Sequence, residues 1–207
     1  MTLYLLSQIM LINGYSMQFR ERFIWSNKKF KRPHWAGSIV CIVQNDIVKR
    51  VKGIVLPIST NSKRCPKRPF VIPYPLNIDS YKMSNDKGHI MALELGGPNN
   101  KCNIVMQPNQ WQRFGYWRQM EKQIRELALS IYKLEYPLCA DEAIDMLKPE
   151  NLLEIQYNLK YKLDKQLKNI TGKLSWGVHA ITFYIGVNEK AKFNKPIMCV
   201  MNSNVTL

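Results

Sequence analysis

Four consecutive residues near the middle of the chain, Asp86-Lys87-Gly88-His89, have the side chains needed for proton transfer. The imidazole of His89 can take or give a proton at neutral pH, because the unperturbed pKa of histidine lies near neutrality. Gly88 lets the backbone come close to another group, since glycine has no Cβ. Asp86 is placed to orient a neighbouring group. A structural histidine is the common alternative for so short a pattern, and the residues that follow decide between the two.

Three further elements follow in the chain. Gly96-Gly97-Pro98 predicts a turn, the segment from Asn103 to Met106 predicts a short strand, and the spacing Trp117-x-x-x-Glu121 predicts a helix. Residues four apart share one face of a helix, so Trp117 and Glu121 should lie side by side, with Trp117 packing the helix against the sheet.

In this order, residues 80–130 resemble the DNA/RNA non-specific endonucleases of the ββα-metal, or His-Me finger, superfamily. The resemblance implies that His89 is the general base that takes a proton from water. It also implies one Mg²⁺ ion, or another divalent cation such as Mn²⁺, held largely by waters against the phosphate and the leaving oxygen. Glu121 would hold metal-bound water. The alternative is an ordinary amphipathic helix with a solvated glutamate.

The sequence departs from the family at Lys87, where arginine is usual. Lysine replaces a two-pronged phosphate contact with a point charge, so lower activity is expected rather than none. Arg113 and Arg118 are candidate cations for the phosphate or the transition state. For both arginines a solvated surface position is the alternative.

A second departure concerns the metal ligand on the helix. The family places an asparagine about two turns before the helix glutamate, whereas Arg113 stands eight residues before Glu121. One extra residue between Gln112 and Trp117 would bring Gln112 into the ligand position. We predict Gln112 as the ligand, with Asn109 as the second candidate. If neither amide reaches the ion, the fold has been kept only to bind nucleic acid.

The composition predicts a polyanionic partner. The chain has 30 basic and 15 acidic residues, a net charge of +15, and residues 20–68 carry thirteen Lys or Arg against two acidic residues, or +11. Cations placed near phosphates release condensed counterions, so nucleic acid or an anionic membrane surface is expected. The candidate nucleic-acid-binding residues are Lys28, Lys29, Lys31, Arg32, Arg64 and Arg68.

The five cysteines are widely spread and include no C-x-x-C pair, which predicts reduced thiols, although one bridge stays open. The uncharged run at residues 1–19 is interrupted by polar residues and has no basic start, so a cleaved signal is not expected. We expect the protein in the cytoplasm where it is made, while secretion or delivery as an effector without a cleavable signal remains open.

Hydrophobic patterns predict the elements that must position these residues. Residues 1–36 are expected to be helical or irregular, and residues 57–79 mostly loop. Strands are expected at 38–43, 47–56, 179–185 and 196–201, with a strand, turn and strand across 81–106. Residues 153–167 are ambiguous, although 154–159 alternate like a strand. A long helix is expected from Pro108 to Tyr136 and a short one at 141–147.

These patterns predict an α+β fold, with a ββα-metal nuclease-like core on a small antiparallel or mixed sheet. Residues 1–36 would form a basic segment packed on or flanking one domain at 37–207. The predicted function is a metal-dependent, sugar-non-specific endonuclease acting on DNA and RNA. A non-catalytic nucleic-acid-binding protein is the alternative, and a membrane-surface protein a weaker one, since no stable membrane association is expected. The setting is either a bacterial toxin or effector with an immunity protein, or scavenging of nucleic acid.

Overall fold

The computed structural model describes residues 39–59, 72, 74–76, 85–139, 152–163, 165–187 and 189–194, and also the backbone of 11–12, 15–16, 18–23 and 38. In chain order the strands are β1 Leu11–Ile12, β2 Tyr15–Ser16, β3 Gln18–Phe23, β4 Ser38–Gln44, β5 Ile47–Ile54, β6 Asn85–His89, β7 Ile104–Pro108, β8 Glu154–Tyr161, β9 Leu167–Trp176, β10 His179–Gly186 and β11 Lys192–Phe193. The helices are α1 Asn109–Arg113 and α2 Tyr116–Ile131, with short 3-10 helices at Leu93–Leu95 and Lys101–Asn103.

Within the described residues, seven strands form one antiparallel sheet in the order β11-β10-β9-β8-β5-β4-β3. The fold is therefore α+β, as predicted, with a sheet larger than the small one expected. The β4–β5 hairpin confirms the predicted pair of strands. Its turn residues Asn45 and Asp46 have positive φ angles of 50° and 57°, the conformation that tight hairpin turns require and that Asn and Asp tolerate.

The predicted strand, turn and strand is confirmed as a second, two-stranded sheet. β6 pairs antiparallel with β7, and His89 at the end of β6 stands opposite Ile104 at the start of β7. The connection between the two strands contains both 3-10 helices. This hairpin presents His89 at the point where β6 ends and the chain turns.

The predicted long helix is interrupted. The backbone N–H groups of Phe114 and Gly115 both donate to the carbonyl of Gln110, at 3.1 and 2.8 Å. The second of these bonds spans five residues instead of four, so the chain takes one extra residue into the turn. A Cβ at Gly115 would lie 2.8 Å from Trp111 Cα, and glycine is therefore required there. After this break α2 runs to Ile131, short of the predicted Tyr136.

Helix α2 packs its apolar face against the large sheet. Trp117, Met120, Ile124 and Leu127 are almost fully buried in the same core cluster as the inner face of that sheet. The Trp117 ring lies 6.0 Å from the ring of Tyr157 in β8, measured between centroids. This contact confirms the prediction that Trp117 packs the helix against the sheet, and it fixes the rotation of α2.

The prediction of reduced cysteines was wrong. Cys41 in β4 and Cys102 in the second 3-10 helix form a disulfide, with their Cα atoms 6.3 Å apart. Cys139 is also disulfide-bonded. The two partners of the first bridge are separated by 61 residues, so only the packing of the β6–β7 hairpin against the large sheet brings them together. The bridge joins the hairpin that carries His89 to the sheet.

Of the remaining predicted elements, some are confirmed, some are wrong and some lie outside the described residues. Strand β10 was predicted and β8 matches the alternating pattern seen at 154–159, whereas β9 was not predicted. The N-terminal segment, expected to be helical or irregular, contains β1, β2 and the edge strand β3. The predicted helix at 141–147, the strand at 196–201 and most of the 57–79 loop lie outside the described residues, and the domain division at residue 37 stays a prediction. In the described part of the chain, none of the helices is long and apolar enough to cross a membrane.

Candidate active site

A cleft of about 380 Å³ lies where the end of β6 and the first 3-10 helix face α1 and the start of α2. Histidine, carboxylate, amide and guanidinium groups all contribute to its wall. The polar residues that line it are His89, Glu94, Gln112, Arg113, Arg118 and Glu121. Five of these six were singled out from the sequence, and Glu94 was not.

His89 is buried, with 8% of its surface exposed. Burial lowers its pKa below the ordinary value, and a hydrogen bond with Asn99 partly offsets that shift. Burial therefore favours the neutral form of the ring. Its Nε2 lies 3.3 Å from Asn99 Oδ1. In the tautomer that carries the proton on Nε2, this contact orients the ring and Nδ1 holds the lone pair that a general base needs.

Gly88 gives room to the side chain of Gln107. The buried Gln107 donates from Nε2 to the His89 carbonyl at 3.3 Å. A Cβ at Gly88 would lie 2.4 Å from Gln107 Cδ, so the glycine is needed for this side chain to cross the hairpin. The group that the backbone at Gly88 approaches closely in the structure is thus the side chain of Gln107.

Asn103 fixes the wall of the cleft after His89. Its side chain is fully buried. Its Oδ1 accepts from Met91 N at 2.9 Å, and its Nδ2 donates to the carbonyls of Met91 and Pro98, both at 2.8 Å. A buried amide with every polar atom partnered is a strong local constraint. Asn103 thus holds the turn that contains Glu94.

Asp86 joins the hairpin to α1. Its carboxylate accepts two hydrogen bonds from Arg113, from Nε at 2.5 Å and from Nη2 at 3.0 Å. Such a bidentate ion pair fixes the orientation of the guanidinium group as well as neutralising its charge. The expectation that Asp86 orients a neighbouring group agrees with this contact, and the group is Arg113. The Arg113 side chain remains 58% exposed at the edge of the cleft.

Glu94 pairs with the arginines around the cleft, and it was not predicted as a site residue. Its carboxylate accepts from both terminal nitrogens of Arg118, the Nη2 bond being 2.9 Å, and it lies 3.4 Å from Arg125 Nη1. Arg118 Nη1 also reaches Glu121 Oε2 at 3.3 Å. The side chains of Glu94 and Glu121 are only 6% and 8% exposed. The one hint in the sequence was an isolated acid in the apolar run from Ile90 to Leu95.

Ionisation of the Glu121 carboxyl is unfavourable because the side chain is buried. Burial raises the pKa of its carboxyl to about 8, while the charge of Arg118 and a hydrogen bond from the Trp117 indole offset part of that shift. A buried carboxylate is stabilised by a nearby cation. Glu121 therefore lacks full compensation and would gain from a further positive charge in the cleft.

The residues of the cleft fit a hydrated divalent ion better than a closed protein cage. In the described ranges, no three His, Cys, Asp or Glu side chains cluster closely enough to hold a metal by themselves. The cleft offers instead the Gln112 amide and the buried Glu121 carboxylate. Oxygen donors in small number, completed by water, are what Mg²⁺ takes in proteins. Asn109 does not line the cleft.

The predicted cations separate into three groups. Arg113 and Arg118 line the cleft. Lys87 points elsewhere: its Nζ donates to the Ile72 carbonyl at 2.8 Å and lies 4.3 Å from the Tyr74 ring centroid. The basic candidates of the first third, Lys28, Lys29, Lys31, Arg32, Arg64 and Arg68, lie outside the described residues. The chemical roles assigned to all these residues stay predictions.

Comparison with known proteins agrees with the family resemblance. Residues 59–134 match the family model of DNA/RNA non-specific endonucleases. The matched range includes the β6–β7 hairpin, α1, α2 and every residue that lines the cleft. A search of curated proteins found no match to this chain.

Proposed function

We propose that the protein is a divalent-metal-dependent endonuclease that hydrolyses phosphodiester bonds in DNA and RNA, and that the cleft is its active site. The observation that carries the proposal is a buried His89 that lines the same cleft as the buried side chain of Glu121, inside the range matched by the endonuclease family. The β6–β7 hairpin followed by α1 and α2 supports a ββα-metal arrangement of that site.

The residues of the cleft divide the chemistry between them. His89 takes the proton from an attacking water, with its ring oriented by Asn99. Arg113 and Arg118 are pre-positioned by Asp86 and Glu94, so their charges meet the phosphate without reorganisation. Gln112, and Glu121 through water, would hold a divalent ion, which would stabilise charge on the phosphate and the leaving oxygen.

The direct test is cleavage of plasmid DNA and of RNA by purified protein, with Mg²⁺, with Mn²⁺ and with EDTA. We expect cutting of both substrates in the presence of either ion and none in EDTA. His89→Ala should abolish cutting while circular dichroism and nucleic-acid binding stay close to those of the wild type, because His89 lines the cleft. If the wild-type protein cuts neither substrate with any divalent ion, the enzyme proposal falls.

One observation favours the binding-only alternative. Arg118 places a guanidinium nitrogen 3.3 Å from Glu121, where it competes with an ion for the same carboxylate. A non-catalytic nucleic-acid-binding protein would keep such a contact permanently. Metal dependence separates the two functions, because only catalysis requires the ion. Binding without cutting, unchanged by EDTA, would support the alternative.

The Cys41–Cys102 disulfide supports a proposal about the cellular setting. Disulfides persist mainly in oxidising environments, so the Cys41–Cys102 bridge supports export over a working life in the cytoplasm. A basic nuclease that leaves the cell fits a toxin or effector, and its net charge of +15 suits an acidic immunity protein as inhibitor. Stable membrane association is not part of this proposal.

A further inference from the structure

Phe114 is the most exposed aromatic side chain of the described residues, with 83% of its surface accessible, yet it lines the cleft. It stands at the break between α1 and α2. Its backbone is held there by the hydrogen bonds of Phe114 and Gly115 to the Gln110 carbonyl, and by the close approach of Gly115 to Trp111. The ring therefore projects from a fixed turn beside the polar cleft residues.

The neighbours of this ring supply the second half of a nucleotide site. Arg113, the residue before it, is held by Asp86 and is 58% exposed. Gln112 and Arg118 lie in the same cleft. An aromatic face next to cations is the combination that binds single-stranded nucleic acid, in which bases stack on rings while cations track the phosphates.

Resting on the proposed function, we infer that Phe114 stacks on an unpaired base beside the scissile phosphate and makes single-stranded DNA and RNA the favoured substrates. In a duplex the base faces are already occupied by neighbouring bases, so the ring gains a partner only if a base leaves the stack. Unpaired strands carry no such cost.

The test measures binding in EDTA, so that it does not depend on catalysis. The probes are a single-stranded oligonucleotide containing 2-aminopurine and the same strand in a duplex. Phe114→Ala should weaken single-strand binding by roughly tenfold, the effect of losing one stacked base, and should abolish the quenching of 2-aminopurine. Duplex binding should change much less, and Phe114→Tyr should behave like the wild type. Leu163→Ala is the matched control, because Leu163 is another highly exposed apolar side chain but does not line the cleft.

Equal weakening of both probes by Phe114→Ala, or no weakening, would overturn the inference. A lower molecular mass of Phe114→Ala than of the wild type, measured by light scattering, would also overturn it, since the ring would then mediate contact between copies of the chain. The two proposals can fail separately. If Phe114→Ala loses single-strand binding selectively but the wild-type protein never cuts, the nuclease proposal fails and the stacking site stands. If the wild-type protein cuts but Phe114→Ala binds both probes like the wild type, the stacking site fails and the nuclease proposal stands.

Discussion

At the scale of single residues, the environment of His89 makes a prediction about pH. Burial lowers its pKa from the ordinary 6.5, so the ring stays neutral to more acid pH than a free histidine. A general base works only in the neutral form, and activity should fall as the pH drops through the lowered pKa. The acid limb of kcat/KM, measured at saturating Mg²⁺, should therefore have its midpoint below 6.5. A midpoint at or above 6.5 would contradict this assignment.

Glu94 makes a second prediction at this scale. In Glu94→Gln the paired carboxylate that holds Arg118 is lost, and Arg118 should turn more fully to Glu121. The guanidinium then competes with the ion, so the Mg²⁺ concentration for half-maximal cleavage should rise about tenfold or more, as when residues supporting a metal ligand are changed.

The matched control for Glu94 lies on α2. Glu126→Gln removes a carboxylate that is 54% exposed and pairs with Arg125 outside the cleft. It should leave the Mg²⁺ requirement unchanged. An equal shift in both variants would mean that net charge, and not the hold on Arg118, sets the requirement.

At the scale of elements, the break between α1 and α2 decides which amide faces the cleft. The turn at Phe114 and Gly115 contains the extra residue that the sequence required for Gln112 to stand in place of the family asparagine. Gln112 lines the cleft and Asn109, one turn earlier, does not. The role of Gln112 as the metal ligand stays a prediction.

Metal titrations of cleavage distinguish the two amides. Gln112→Ala should raise the Mg²⁺ concentration for half-maximal rate by about tenfold or more, because a ligand is lost. Asn109→Ala should leave it close to that of the wild type, and so acts as the control on the same short helix. The reverse order of effects would transfer the ligand role to Asn109.

At the scale of the whole molecule, the Cys41–Cys102 bridge ties the hairpin that carries His89 to the seven-stranded sheet. A cross-link between residues 61 apart restricts the unfolded chain strongly. Replacing both cysteines in Cys41→Ser with Cys102→Ser should lower the free energy of unfolding by about 2–5 kcal/mol.

Urea denaturation measures that loss, with and without a reducing agent. The wild-type protein should lose stability when it is reduced. The double variant should respond less, since only the bridge of Cys139 remains to be broken. A wild-type protein with equal stability in both conditions would show that the Cys41–Cys102 bridge does not form in solution.

The sequence by itself determined the parts of this protein that depend on local patterns. β-branched runs on either side of a turn predicted the β4–β5 hairpin, and the spacing of hydrophobic residues predicted the helix that contains α2. The order of residues from Asp86 to Glu121 indicated the endonuclease family, which the match of residues 59–134 confirms. Five of the six polar residues of the cleft followed from that order.

Only the tertiary structure decided the contacts that join distant parts of the chain. The Glu94–Arg118 pair spans 24 residues and the disulfide 61, and no local pattern specifies which partners meet at such separations. The sequence allowed Lys87 to point into the cleft, but in the structure its Nζ donates to the Ile72 carbonyl, an acceptor fifteen residues earlier in the chain. The helix break also needed the structure, since the clash that requires Gly115 is with the backbone of Gln110 and Trp111 and exists only once the chain has taken this turn.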